Sequence, residues 1–287
     1  MTEFAASYLY LKRAELVRYL LNAAGQVSQS KVNPKELLDY LQLEYLSFDF
    51  QTELPPEAKE SFRGETPRAM ISFRDRLIAS DQSLDEKRSR FSVLHEIGHY
   101  ILPHHQNELY VCDSKSMSFG THLTFEKEAN EVAADLLFLG ERFDLEASSR
   151  VIDASTMKTL AEQFGASFES TARRMVERSY RACMLVSFQN KTPLGVDPAA
   201  APNWQIRYCV PSPAFENRYF EKLSQGTVPS EVWALLSPPS RNVDESETVP
   251  LTISCGHPPT RTSFSAEYFY NRHNVFCFLV PENRVSV

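Results

Sequence analysis

Phe91-Ser92-Val93-Leu94-His95-Glu96-Ile97-Gly98-His99-Tyr100-Ile101-Leu102 is the stretch from which the rest of this chain is read. Phe91, Leu94, Ile97, Gly98 and Leu102 recur at helical spacing, and Pro103 ends the run. Residues four apart on a helix lie one above the other, so His95 and His99 point the same way. Two imidazoles so placed suit one Zn²⁺. Glu96 stands beside them, placed to take a proton from a water at that ion. Gly98 leaves the face clear of a side chain that would obstruct a substrate or a further ligand. Upstream, Ser83-Leu84-Asp85-Glu86 has the capping-box pattern and predicts the helix start. Two histidines and a glutamate on an apolar face with no metal would carry a heavy desolvation cost.

Composition bounds the rest. At 43% hydrophobic and 23% charged residues, the 287-residue chain reads as one large or two small globular domains. No apolar run reaches the length of a membrane span. Met1-Thr2-Glu3-Phe4-Ala5 lacks the basic-then-apolar pattern of a secretory signal. The five cysteines are scattered, without C-x-x-C spacing, and read as reduced thiols in a cytoplasmic protein. A net charge of −7 argues against bulk binding to duplex nucleic acid, though not against a local basic groove.

Taken in order, an amphipathic helix is expected over residues 5–24, and a second begins at Asn33-Pro34-Lys35-Glu36, with Asn33 as cap. Strands are expected from Leu43 to Phe50, from Ala69 to Phe73 and from Leu77 to Ala79. The strand just before the histidine helix is expected to form the edge on which a peptide lies by strand addition. A helix from about Phe125 to Leu139 should carry the third ligand. Glu126 shares its face with Ala129, Asn130, Ala133 and Leu137, whereas Glu128 shares a mostly charged face with Glu131, Val132 and Asp135. Helical geometry therefore favours Glu126 as the ligand, with Asn130 one turn later as support.

Residues 155–178 read as helix, turn at Gly165, and a second helix bearing Arg173, Arg174 and Arg178, the outline of a helix-turn-helix. Such paired helices also serve simply to complete a core. Beyond Cys183 four strands are expected, at 184–188, 206–210, 248–254 and 274–280, in a prolinerich α+β module. Trp204, Arg207, Tyr208, Tyr268, Tyr270 and Arg272 interleave basic and aromatic groups there, a mixture that can stack single-stranded bases and that also builds cores.

The run from Arg88 to His99, followed by Glu126-Lys127-Glu128-Ala129-Asn130-Glu131-Val132-Ala133-Ala134-Asp135-Leu136-Leu137, resembles the ImmA/IrrE metallopeptidases. Leu160-Ala161-Glu162-Gln163-Phe164-Gly165-Ala166-Ser167, ending in Arg173-Arg174-Met175, is similar to that family's helix-turn-helix-like segment. The likeness covers about residues 30–180 and is nearest to IrrE-like and CapP-like members. It departs at Phe138-Leu139-Gly140, where the family usually has Met-Pro. The resemblance implies an α+β, zincin-like zinc endopeptidase domain (1–150), a helix-turn-helix-like segment (151–180) and a C-terminal α+β, GAF-like sensor domain (181–287). It implies cleavage of one helix-turn-helix repressor, which induces DNA-damage, mobile-element or anti-phage genes, with single-stranded DNA as the candidate signal.

On that reading His95, His99 and Glu126 hold Zn²⁺, and Glu96 is the base. His122 or Tyr110, both between the ligands, would stabilise the oxyanion. Cys112 lies in the same connector; it is either a small buried hydrophobe or a thiolate ligand that keeps the enzyme latent. Arg173, Arg174, Arg178, Arg207, Trp204 and Arg272 are the candidate nucleic-acid contacts. The competing reading is a non-enzymatic DNA-binding regulator whose metal is structural.

Overall fold

The computed structural model describes residues 13–54, 66–106, 119–191, 204–219, 245–255, 260–271 and 274–282. They fall into two compact units, residues 1–143 with 162–167, and residues 144–161 with 168–287.

The first unit is built on four helices and a small mixed sheet. Helix α1 (Arg13–Ala23) buries Leu16, Val17, Leu20 and Leu21, and α2 (Pro34–Leu41) buries Leu37, Leu38 and Leu41. The expected cap of α2 is formed: the Asn33 side chain accepts from the Lys35 amide, and Pro34 opens the helix. Strand β1 (Glu44–Phe48) runs parallel to β3 (Leu77–Asp81), which pairs antiparallel with β2 (Ala69–Ser72). The sheet order is β1-β3-β2. The strand just before the histidine helix is therefore central, with β1 and β2 at the two edges; the short turn at Arg74-Asp75-Arg76 folds β2 back onto one side of β3.

Helix α3 (Glu86–Ile101) carries the opening motif, packs against β2 and β3, and buries Val93, Leu94, Ile97, Tyr100 and Ile101. Its cap differs from the expected one. The Asp85 carboxylate accepts from the Lys87 and Arg88 amides, and Ser83 instead donates its hydroxyl and its amide to Asp81. A carboxylate next to the helix start takes the role because it accepts both free amides at once and faces the positive end of the helix. Helix α4 (Phe119–Leu137) begins earlier than expected and lies along α3, burying Ala129, Val132, Ala133, Leu136 and Leu137. Arg13 of α1 ties onto α4 through ion pairs with Glu131 and Asp135.

The second unit contains α5 (Glu141–Ser148, from Asp144 on), most of α6 (Ala154–Phe164) and α7 (Phe168–Glu177). Its five-stranded antiparallel sheet has the order β5-β4-β8-β7-β6: β4 (Met184–Asn190), β5 (Trp204–Pro211), β6 (Ser246–Cys255), β7 (Thr260–Tyr270) and β8 (Asn274–Pro281). The alternation of strand side chains fills both faces. Met184, Val186, Phe188, Phe264, Tyr268, Val275 and Cys277 pack with Phe215 and Tyr219 of α8 (Pro213–Tyr219). On the other face Phe168 of α7 meets the rings of Phe269 and Phe276 at 4.5 and 5.2 Å. The molecule is thus α+β, as expected, and no described helix is long and apolar enough to cross a membrane.

Gly98 sets how closely α3 and α4 pack. A Cβ there would lie 2.9 Å from the Ala129 carbonyl oxygen, a backbone atom that cannot swing away. Gly98 thus serves the third-ligand helix by letting it approach. Gly98→Ala is expected to destabilise the protein by about 1–3 kcal/mol, the usual cost of overpacking a tight contact, read as a lowered denaturation midpoint.

Candidate metal centre

Helical periodicity on α3 aims His95 and His99 at α4, and the close approach at Gly98 brings Glu126 to meet them. His95 Nε2 and His99 Nε2 stand 3.1 Å apart. Glu126 Oε2 is 3.2 Å from His95 Nε2, and its Oε1 is 3.4 Å from His99 Nε2. Ligand atoms about 2.0–2.1 Å from one ion in a tetrahedron stand about 3.3–3.4 Å from one another, so the donor set fits a single ion. Two imidazoles and a carboxylate are also the chemistry that zinc accepts.

The outer ring nitrogens are engaged too. His95 Nδ1 donates to Asn130 Oδ1 at 3.1 Å, which leaves the Nε2 lone pair facing the centre. His99 Nδ1 lies 3.0 Å from His105 Nδ1, and His105 Nε2 lies 2.9 Å from Glu128 Oε2. His104 Nε2 is 2.5 Å from the same oxygen. Asn130 therefore stands where the sequence expected support for a ligand. Glu128, read as one of a mostly charged face, turns instead onto two histidines that sequence reasoning passed over. The signal was available: His104-His105 directly after Pro103, and a second glutamate two residues after Glu126. Among the described residues, His95–His99–Glu126 and His104–His105–Glu128 are the two groups whose spacing would admit a metal.

Electrostatics agree with a centre built for a cation. Burial works against a charged His95 ring, but the bond from Glu126 and the charges of Glu96 and Glu126 outweigh it and raise its pKa. Hydrogen bonds from His95 and His99 hold the Glu126 carboxyl well below the usual carboxylate range. Glu96 is buried, and burial pushes its pKa up, as a proton carrier requires. His105 is fully buried, and burial lowers its pKa to about 4, so the ring is neutral at physiological pH.

The other expected residues are placed as follows. His122 lies in the first turns of α4, but its side chain lies outside the described residues, as do Tyr110, Cys112 and Arg272. Arg173 and Arg178 are exposed, with the Arg173 guanidinium 5.0 Å from the Tyr208 ring centre. Arg174 is buried and 3.4 Å from Asp144. Arg207 bonds both Glu169 oxygens at 3.2 Å. Trp204 is half-buried at the sheet edge, 6.5 Å from the Tyr270 ring. Tyr268 and Tyr270 belong to the core.

The family model of the IrrE N-terminal-like domain, Peptidase_M78, matches residues 44–176, the span that holds both histidines and Glu126. Over that segment the chain is similar to the IrrE-like metallopeptidases. Among solved structures, a Mycobacterium tuberculosis transcriptional regulator is similar in fold, with a TM-score of 0.55 and 12% identity over 96% of this chain and 78% of that one. No curated protein sequence matches the chain. A metallopeptidase domain implies a metal, and the donor set above accommodates it.

The metal-free protein should show the mark of this centre. The depressed Glu126 pKa contributes stability that is full above the unfolded carboxylate value of about 4.5 and is lost as pH falls from there toward the far lower folded value. The raised His95 pKa contributes stability below about 6.5, lost as pH rises past its folded value. Chelated protein is expected to be most stabilised by the site between about pH 4.5 and 6.5, and Glu126→Gln should flatten that maximum in a melting series.

Proposed function

We propose that the chain is a zinc endopeptidase of gluzincin type that cleaves a helix-turn-helix repressor and so induces stress, DNA-damage or anti-phage genes. The observation that carries the reading is the convergence of His95, His99 and Glu126 on one point with Glu96 buried beside them. The peptidase family of residues 44–176 supports it.

In this reading His95 Nε2, His99 Nε2 and the Glu126 carboxylate hold the ion. Zinc would supply Lewis acidity toward the scissile carbonyl and toward water. Glu96 accepts a proton from the attacking water at its carboxylate and delivers it to the leaving amine. Its raised pKa suits both halves of that cycle. Asn130 holds the His95 ring in the ligating tautomer. The substrate chain would add to β2, the edge strand that packs against α3; Phe73 beyond it stacks on Tyr100 at 6.3 Å. His122 or Tyr110 is the proposed oxyanion donor.

The second unit is the proposed sensor. Its α+β build and the exposed Arg173 and Arg178 support a single-stranded DNA signal, with Arg272 a further candidate contact. Cys112 is proposed as a thiolate that occupies the open metal position until the signal arrives. The cytoplasm, where thiols stay reduced, is the fitting compartment. A non-enzymatic DNA-binding regulator is the alternative. The consecutive helices α6 and α7 and the similarity in fold to a Mycobacterium tuberculosis transcriptional regulator favour it.

Incubating the protein with a small helix-turn-helix protein encoded beside it separates these readings. Zinc-loaded protein should cut it, with single-stranded DNA increasing the rate. Glu96→Gln should keep the metal and lose cleavage by about 10²–10⁴-fold, and Cys112→Ser should cut without the DNA. Duplex binding with no cleavage, unaffected by Glu96→Gln, would favour the regulator.

A further inference from the structure

We propose that His105 and Glu128 are positioning residues for the metal centre, locking His99 in the one tautomer that can ligate. The proposal rests on the metal reading above and names residues that the ligand set does not include.

The chain of contacts is short and directional. His99 offers Nε2 to the centre, 3.1 Å from His95 Nε2, so the proton of a neutral His99 ring sits on Nδ1. That Nδ1–H points at His105 Nδ1, 3.0 Å away. His105 Nδ1 must then accept, which puts the His105 proton on Nε2. There it donates to Glu128 Oε2 at 2.9 Å. Each hydrogen bond thus fixes the next, from a carboxylate through one imidazole to the ligating imidazole. A buried ring nitrogen without a partner would be costly, so the arrangement leaves His99 and His105 one neutral tautomer each.

The surrounding structure holds the relay still. His105 is fully buried and stacks on Phe125 at 4.3 Å with the rings 19° from parallel. Phe125 is the residue before Glu126, so the helix that brings the third ligand also clamps the relay ring. The His105 amide bonds the Leu102 carbonyl at 3.0 Å, which ties the ring to the end of α3, the helix of His99. Both ends of the relay are therefore anchored on the two helices that supply the ligands.

The same logic separates this role from a second metal site at His104, His105 and Glu128. An ion on His105 Nε2 would displace its proton to Nδ1, setting two N–H groups against each other across the 3.0 Å gap to His99. The contacts of 2.5 and 2.9 Å to one Glu128 oxygen are also hydrogen-bond lengths, shorter than the spacing of ligands around one ion.

Zinc affinity measured by competition with a chelating dye tests the proposal. Wild-type protein should bind one equivalent. Glu128→Ala should bind it about 10–100-fold more weakly, and Glu128→Gln, whose amide oxygen still accepts from His105, should recover most of the loss. His105→Ala should match or exceed the loss; if it does not fold, the Glu128 pair decides. Nitrogen-15 spectra of the zinc-loaded wild type should show the proton of His99 on Nδ1 and that of His105 on Nε2. Wild-type affinity in Glu128→Ala, or a proton on His105 Nδ1, would overturn the relay. Two equivalents in wild type, with one lost in Glu128→Ala, would assign the cluster to a second ion instead. No zinc bound by wild type would overturn the metal reading itself.

Discussion

The approach of α3 to α4 at Gly98 and Ala129 is the constraint on which the centre depends. Two histidines one turn apart are fixed by helix geometry alone. The third donor must come from another element, and its distance is set by how near that element can come. A residue with no Cβ permits the approach, since a Cβ there would lie 2.9 Å from the Ala129 carbonyl oxygen. Ala129 and Ala133 keep the facing surface of α4 low, and Glu126 then lies within 3.4 Å of the Nε2 atoms of both histidines.

Around that contact the donors are arranged in two layers. The inner layer is His95, His99 and Glu126, whose facing atoms lie within 3.4 Å of one another and fit a single ion. The outer layer is saturated, with Asn130 behind His95 and His105 with Glu128 behind His99. Such support fixes ring orientation and tautomer before an ion arrives, so little ordering remains to be done on binding. Arg13, paired with Glu131 and Asp135 farther along α4, holds that helix in place from its other side.

Much of this was legible in the sequence because it rests on local periodicity. His95, His99 and Glu126 follow from 3.6-residue spacing, and Asn33 and Pro34 from cap chemistry. The strands at Met184 and Asn274 follow from short apolar runs. What was not legible is tertiary. The order β1-β3-β2, which puts β3 at the centre and β1 and β2 at the edges, depends on where β1 pairs. The His105–Glu128 contact joins a turn to a helix across 23 positions, with no period to reveal it. Strand β7 was missed because Thr260–Tyr270 mixes serine, threonine and glutamate with aromatics, and only its pairing with β6 and β8 makes it a strand. Tyr268 and Tyr270, for which the sequence left a stacking surface and a core both open, are core, since the alternation along β7 turns both toward α8 and the neighbouring strands.

The central claim is that His95, His99 and Glu126 share one ion. X-ray absorption at the zinc edge of loaded Cys112→Ser protein tests it most directly. The account predicts one zinc per chain with two imidazole nitrogens and light oxygen donors at about 2.0–2.2 Å, and a changed first shell in Glu126→Ala. A shell without imidazole scattering, or an identical spectrum in Glu126→Ala, would contradict it.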